Sequence, residues 1–196
     1  MKKIEMTTGS LWKNILLFSL PLMLTQLLEV LFNLSDVAVV GKFASYQALG
    51  SVGSTSTLVT LFAGFLIGMG AGVNVAVARA LGIGSEEETE KPIHSAFIIC
   101  TIFGVVVCLA CNLFARQMLE MLNTKEELMD GAVLYLKIFS LGMPAMAIYN
   151  CGNGVMSAAG DTKRPLLYLT IAGALNVALN LLFVIGLHMA ADGVAL

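Results

Sequence analysis

Gln26, Glu29, Asn33 and Asp36 interrupt a stretch of the chain that is otherwise almost wholly aliphatic and aromatic. Their spacing of three, four and three residues puts all four on one face of a helix. An ionised carboxylate at mid-membrane depth costs at least ~2.5 kcal/mol on insertion scales, so such a stripe faces protein or water rather than lipid. Two chemistries suit it. Amides commonly tie helices together by hydrogen bonds, whereas intramembrane acids mark paths for protons or cations. Asp36 and Glu29 favour the second; Glu29, the deeper of the two, can also sit protonated or paired. Pro21 lies below the stripe, removes one backbone hydrogen bond and permits a bend.

Two further polar sets sit in apolar surroundings. Asn150, Asn153 and Ser157 share one helical face between Pro144 and Gly160, and Tyr149, Gly152 and Gly154 add a pliable, partly aromatic surface. They suit the wall of a pocket and a helix-packing seam equally. Asn176 and Asn180 are one helical turn apart; with Asp36 their carbonyl oxygens would make a small cation site of hard ligands. Asn74 reads as a packing hydrogen bond and His188 as an ordinary interfacial histidine. Gly64, Gly68 and Gly72 form two overlapping GxxxG patterns, a signature of close helix packing. Cys108 and Cys111 form a C-x-x-C with no neighbouring base to activate a thiol. With Cys100 and Cys151 they read as small residues facing lipid or another helix. No nucleophile elbow, phosphate-binding Gly-Lys-Ser/Thr loop or metal-spaced His/Cys set is present, so no enzyme and no cofactor is expected.

The elements that carry these residues follow from composition. Of 196 residues, 58% are hydrophobic and 12% charged. A soluble domain carries about a quarter charged residues, so this is the pattern of a chain solvated by lipid. A net charge of -2 and the lack of a basic tract exclude a nucleic-acid partner. The N-terminal apolar run is too long for a signal peptide and carries acids in its second half.

An all-α integral membrane protein is expected, a bundle of five spans at about 15–40, 58–81, 94–114, 132–159 and 166–187. Each has the roughly 20 residues that cross a ~30 Å hydrocarbon core as a helix. Ser10 is a candidate cap, Ser85/Glu88 and Thr124/Glu127 are candidate capping boxes, and Pro165 is placed as a first helical residue. Short connections predict that consecutive helices are antiparallel neighbours.

Basic residues set the orientation. Lys2, Lys3, Lys13, Arg79, Lys91, Lys163 and Arg164 share one side, against Lys42, Arg116, Lys125 and Lys137 on the other. That bias predicts a cytoplasmic N-terminus in the cell (inner) membrane. Residues 192–196 read as a turn and the opening of a sixth helix near 193, so the chain is expected to be incomplete.

Several motifs, in order along essentially the whole chain, resemble the multidrug and toxic compound extrusion (MATE) family. They are Ser19-Leu20-Pro21-Leu22 with Gln26, Asp36-Val37-Ala38-Val39-Val40-Gly41, Ala48-Leu49-Gly50-Ser51-Val52-Gly53, Ala78-Arg79-Ala80-Leu81-Gly82, Gly160-Asp161-Thr162-Lys163-Arg164-Pro165 and the Asn176/Asn180 pair. The resemblance implies a twelve-helix transporter of two lobes, of which residues 1–196 supply the N-terminal one and a C-terminal lobe is the expected partner. It implies export of cationic or amphipathic drugs in exchange for Na+ or H+. Asp36 would take the coupling ion with Asn176 and Asn180, and in the sodium case Asp36 and Asn180 would bind the metal. Some relatives have an acid where Asn180 stands, which leaves Na+ and H+ both open. Gln26, Glu29, Asn33, Asn150 and Asn153 are candidates for the substrate cavity. Two alternatives stand beside this: a lipid-linked saccharide flippase, which would need cavity-facing cations, and a non-transporting membrane scaffold, in which the stripe is packing only.

Overall fold

A computed structural model describes residues 11–43, 46–83 and 86–186. These form α1 (Leu11–Phe43), α2 (Tyr46–Ile83), α3 (Glu86–Met121), α4 (Glu126–Leu141), α5 (Met143–Ala158) and α6 (Lys163–Leu181), and the chain continues from α6 into a π-helical turn, Leu182–Gly186. No strand occurs among the described residues. Four helices are long and apolar enough to cross a membrane, and α4 with α5, bent by 44° at their junction, makes a fifth span. Leu113 on α3 is 69% exposed and Ile171 on α6 60%. Apolar surface on this scale would be a liability in water and is what lipid requires.

α2 starts well before residue 58, although Ser51, Ser54, Thr55, Ser56 and Thr57 give its first turns the composition of a loop. The helix itself satisfies these hydroxyls: Ser54 donates to the Gly50 carbonyl at 2.8 Å, Thr55 to Val52 at 2.8 Å and Ser56 to Gly53 at 2.7 Å. The fourth span breaks at Gly142, whose N–H bonds back to the Phe139 carbonyl at 3.1 Å, with Pro144 opening α5.

α3 and α5 end alike. Asn123 and Gly160 take positive φ (55° and 79°), and the following N–H groups reach back to Leu119 and Met156. This is the Schellman arrangement, which satisfies carbonyls that a helix end leaves open.

Two capping expectations are corrected. The N-cap of α4 is Lys125, not Thr124, and no side chain caps it. α6 begins at Lys163, so Pro165 is its third residue, and Asp161 Oδ1 accepts the Arg164 N–H at 3.2 Å instead. The Ser10 cap, the Ser85 box, His188 and the start of a sixth helix lie outside the described residues.

α2, α3, α4 and α5 share one core, centred on Leu66, Val77, Cys111, Leu119, Leu136, Met143 and Cys151. α1 packs chiefly against α6 and only weakly against α2, and α5 touches α6 little. The expectation that consecutive helices are neighbours therefore holds for α2 with α3 and α3 with α4, and fails for α1 with α2 and for α5 with α6. What separates α1 from α2 is space.

Candidate functional site

That space is two cavities. The first, of about 340 Å³, lies between α1, α2 and α5 and is lined by Gln26, Glu29, Asn74, Asn150, Asn153 and Ser157, with Phe18, Leu22 and Ile67. The second, of about 470 Å³, lies between α1, α2, α5 and α6, with Phe139 of α4 at its wall, and is lined by Glu29, Tyr149, Asn150 and Asn176, with Phe32 and Met146. Both volumes fall in the range that holds a small organic ligand. Glu29 and Asn150 line both. Among the described lining residues Glu29 is the one carboxylate, and neither lining contains Lys, Arg or His.

The polar walls are held in place by their own helices. Gln26 Nε2 donates to Glu29 Oε2 at 3.4 Å, one turn along α1. Asn150 Nδ2 donates to the Met146 carbonyl at 2.9 Å, which leaves its amide oxygen, an acceptor, to be turned elsewhere. Ser157 donates to Asn153 Oδ1 at 3.3 Å. Asn74 Nδ2 crosses from α2 to the Gly154 carbonyl on α5 at 3.1 Å, so it is the packing bond expected of it and a cavity wall as well. α2 and α5 approach closely at that bond. A Cβ on Gly154 would run into the Gly70 carbonyl oxygen, and one on Gly70 would meet the Asn150 carbonyl oxygen at 2.6 Å.

The GxxxG reading is overturned here. Cβ atoms on Gly64, Gly68 and Gly72 would meet nothing within 4 Å, and Gly70, outside that pattern, makes the close approach. The four-residue repeat marks one helical face, and that face is not the one α2 turns toward α5.

The candidate ion-binding residues lie further along the same pair of helices. A Cβ on Gly173 of α6 would fall on the Phe32 ring of α1, and Val39 and Val184, further along each helix, share one buried cluster. The two helices therefore run parallel, and helical rise puts the backbone of Asp36 at a height between Asn176 and Asn180. Asn180 is 3% exposed and donates from Nδ2 to Asn176 Oδ1 at 3.3 Å. Asn176 also faces the second cavity, so it stands between that cavity and Asn180. The side chains of Asp36 and Asn33 lie outside the described residues. Among those described, no group of three His, Cys, Asp or Glu side chains is gathered as for a metal.

Tyr149, expected on a surface suited equally to a pocket wall or a packing seam, lines the second cavity. The sequence reading missed the aromatic walls Phe18, Phe32 and Phe139 as site residues, because aromatic residues are common in membrane helices. Cys100, Cys111 and Cys151 are buried and all four cysteines are free thiols.

Known proteins share this fold. The MatE family model matches residues 21–182. The chain is 26% identical over 178 residues to the probable multidrug resistance protein YoeA of Bacillus subtilis, covering 91% of this chain and 38% of that protein. It is 28% identical over 195 residues to YpnP of the same organism, named likewise, covering 100% of this chain and 44% of YpnP. The chain thus spans about two fifths of the length of the curated relatives it matches. Among solved structures it superposes on an outward-facing multidrug resistance MATE family transporter with a TM-score of 0.89, at 23% identity, over 100% of this chain and 43% of that one. A MATE crystallised with MaD5 matches with a TM-score of 0.89 at 25% identity, over 100% of this chain and 44% of its own length. The family match runs through nearly every residue that lines the two cavities, and the chain belongs to the MatE family.

Proposed function

We propose that this chain forms one lobe of a secondary active exporter that moves amphipathic organic cations out of the cell in exchange for Na+ or H+. The observation that carries the reading is Glu29, a single carboxylate shared by two cavities whose remaining polar walls are amides and hydroxyls. A carboxylate among apolar and aromatic surfaces attracts a cation with an apolar body, and low dielectric strengthens that attraction. The names of YoeA and YpnP support drugs as the cargo. A pyrophosphate-bearing lipid is disfavoured, because its charge would meet Glu29 without a balancing Lys or Arg among the described lining residues.

Asp36 is the proposed coupling site. Asn176 and Asn180 supply amide oxygens at its height on the neighbouring helix. Protonation of Asp36, or its binding of Na+ with those oxygens, removes a negative charge from α1. That changes its hydrogen bonding and shifts the balance between inward- and outward-open states. Substrate and coupling ion then act through one helix, at positions about 10 Å apart along its axis.

Efflux of a fluorescent organic cation into inverted vesicles, driven by a Na+ or a pH gradient, tests this with the intact protein. Efflux under one gradient that is abolished by Asp36→Asn is the expected result. No efflux under either gradient contradicts the exporter, and unchanged efflux in Asp36→Asn contradicts its coupling role.

A further inference from the structure

The hydroxyl of Tyr149 is buried and has no hydrogen-bond partner among the described residues. A buried phenol normally finds a partner, because leaving its O–H unpaired forfeits the hydrogen bond it made to water. Tyr149 is not in a closed core. It lines the second cavity, together with Glu29, Asn150 and Asn176 and the rings of Phe32 and Phe139. The neighbouring amide groups already have bonds of their own: Asn150 Nδ2 to the Met146 carbonyl, Asn176 Oδ1 from Asn180. Tyr149 is thus a buried donor in this wall that still needs an acceptor, and the cavity its side chain lines is where one can come from.

We propose that the second cavity is a binding site for aromatic monocations that also carry an acceptor oxygen, with Tyr149 as the specificity-determining donor. The cationic amine faces Glu29, the aromatic body packs between Phe32 and Phe139, and a carbonyl or ether oxygen accepts the Tyr149 O–H. This rests on the cation-binding role of Glu29 proposed above and adds to it a preference among cations. Selection of this kind is strong for its size, because a ligand without the acceptor leaves the buried hydroxyl unpaired.

Two compounds of equal charge and nearly equal shape isolate the hydroxyl: 4-acetylbenzyltrimethylammonium, and its carbon analogue with an isopropenyl group in place of the acetyl. Equilibrium binding of both to the purified protein and to Tyr149→Phe is the experiment. The wild-type protein is expected to bind the ketone about five-fold tighter, the size of one net hydrogen bond. Tyr149→Phe should erase that ratio by weakening the ketone alone. Because the hydroxyl has no protein partner, the ligand-free variant should melt at or above the wild-type temperature. Equal binding of the two compounds by the wild-type protein, survival of the preference in Tyr149→Phe, or a lowered melting temperature of the ligand-free variant would each overturn the role of Tyr149. Binding of neither compound would overturn the cavity reading itself, and the role of Tyr149 with it.

Discussion

Glu29 and Asp36 are two turns apart on one stripe of α1, and the proposed mechanism gives them different work. Glu29 opens on both cavities, whose volumes hold a small organic ligand; Asp36, the proposed coupling site, has its backbone at the height of Asn176 and Asn180 of α6. Replacing Asn180 should separate the two tasks. Asn180→Ala is expected to reduce gradient-driven efflux as strongly as Asp36→Asn while leaving substrate binding within about two-fold, a difference too small to reflect a lost hydrogen bond. Transport and equilibrium binding measured on one preparation check this. The polar stripe itself was legible in the sequence, since acids at membrane depth are too costly to be incidental. The division of labour proposed for it was not. It depends on α6 lying against α1, a contact between segments more than a hundred residues apart that no local pattern encodes.

At the scale of the element, the glycines of α2 carry the clearest lesson. Spacing alone singles out Gly64, Gly68 and Gly72, but the backbone contact with α5 is made by Gly70 against Asn150 and Gly154. A helix offers small residues on several faces, and which face meets a partner is decided by where the partner sits. Gly70→Ala and Gly154→Ala should therefore destabilise the protein by about 1–3 kcal/mol, because backbone cannot move aside as a side-chain tip can. Gly68→Ala should be neutral or slightly stabilising, by up to about 1 kcal/mol, through helix propensity. Thermal melting in detergent distinguishes the two groups. The long first turns of α2 were hidden for a related reason. Serine and threonine look like loop residues until their hydroxyls are seen bonding back to the same helix.

For the whole molecule, the membrane class and the helical content followed from composition, whereas the grouping of the helices did not. α2 to α5 form one packed unit and α1 pairs with α6, with the cavities along the boundary. A bundle with every neighbour in chain order would have closed that boundary with side chains and left no cavity there. Orientation remains a matter of charge: the basic residues predict that the α5–α6 connection is cytoplasmic and the α3–α4 connection external. In a cysteine-free background, Lys163→Cys should react with an impermeant maleimide only from the cytoplasmic face, and Lys125→Cys only from outside. The reverse pattern would invert the direction of transport. Cation recognition by Glu29 is tested most directly by equilibrium binding of an aromatic monocation and its neutral isostere to the wild-type protein and to Glu29→Gln. The wild type should prefer the cation by about ten-fold or more, the scale of a charge-assisted contact, and Glu29→Gln should remove this preference without weakening the neutral compound; a preference that survives in Glu29→Gln would contradict the role of Glu29.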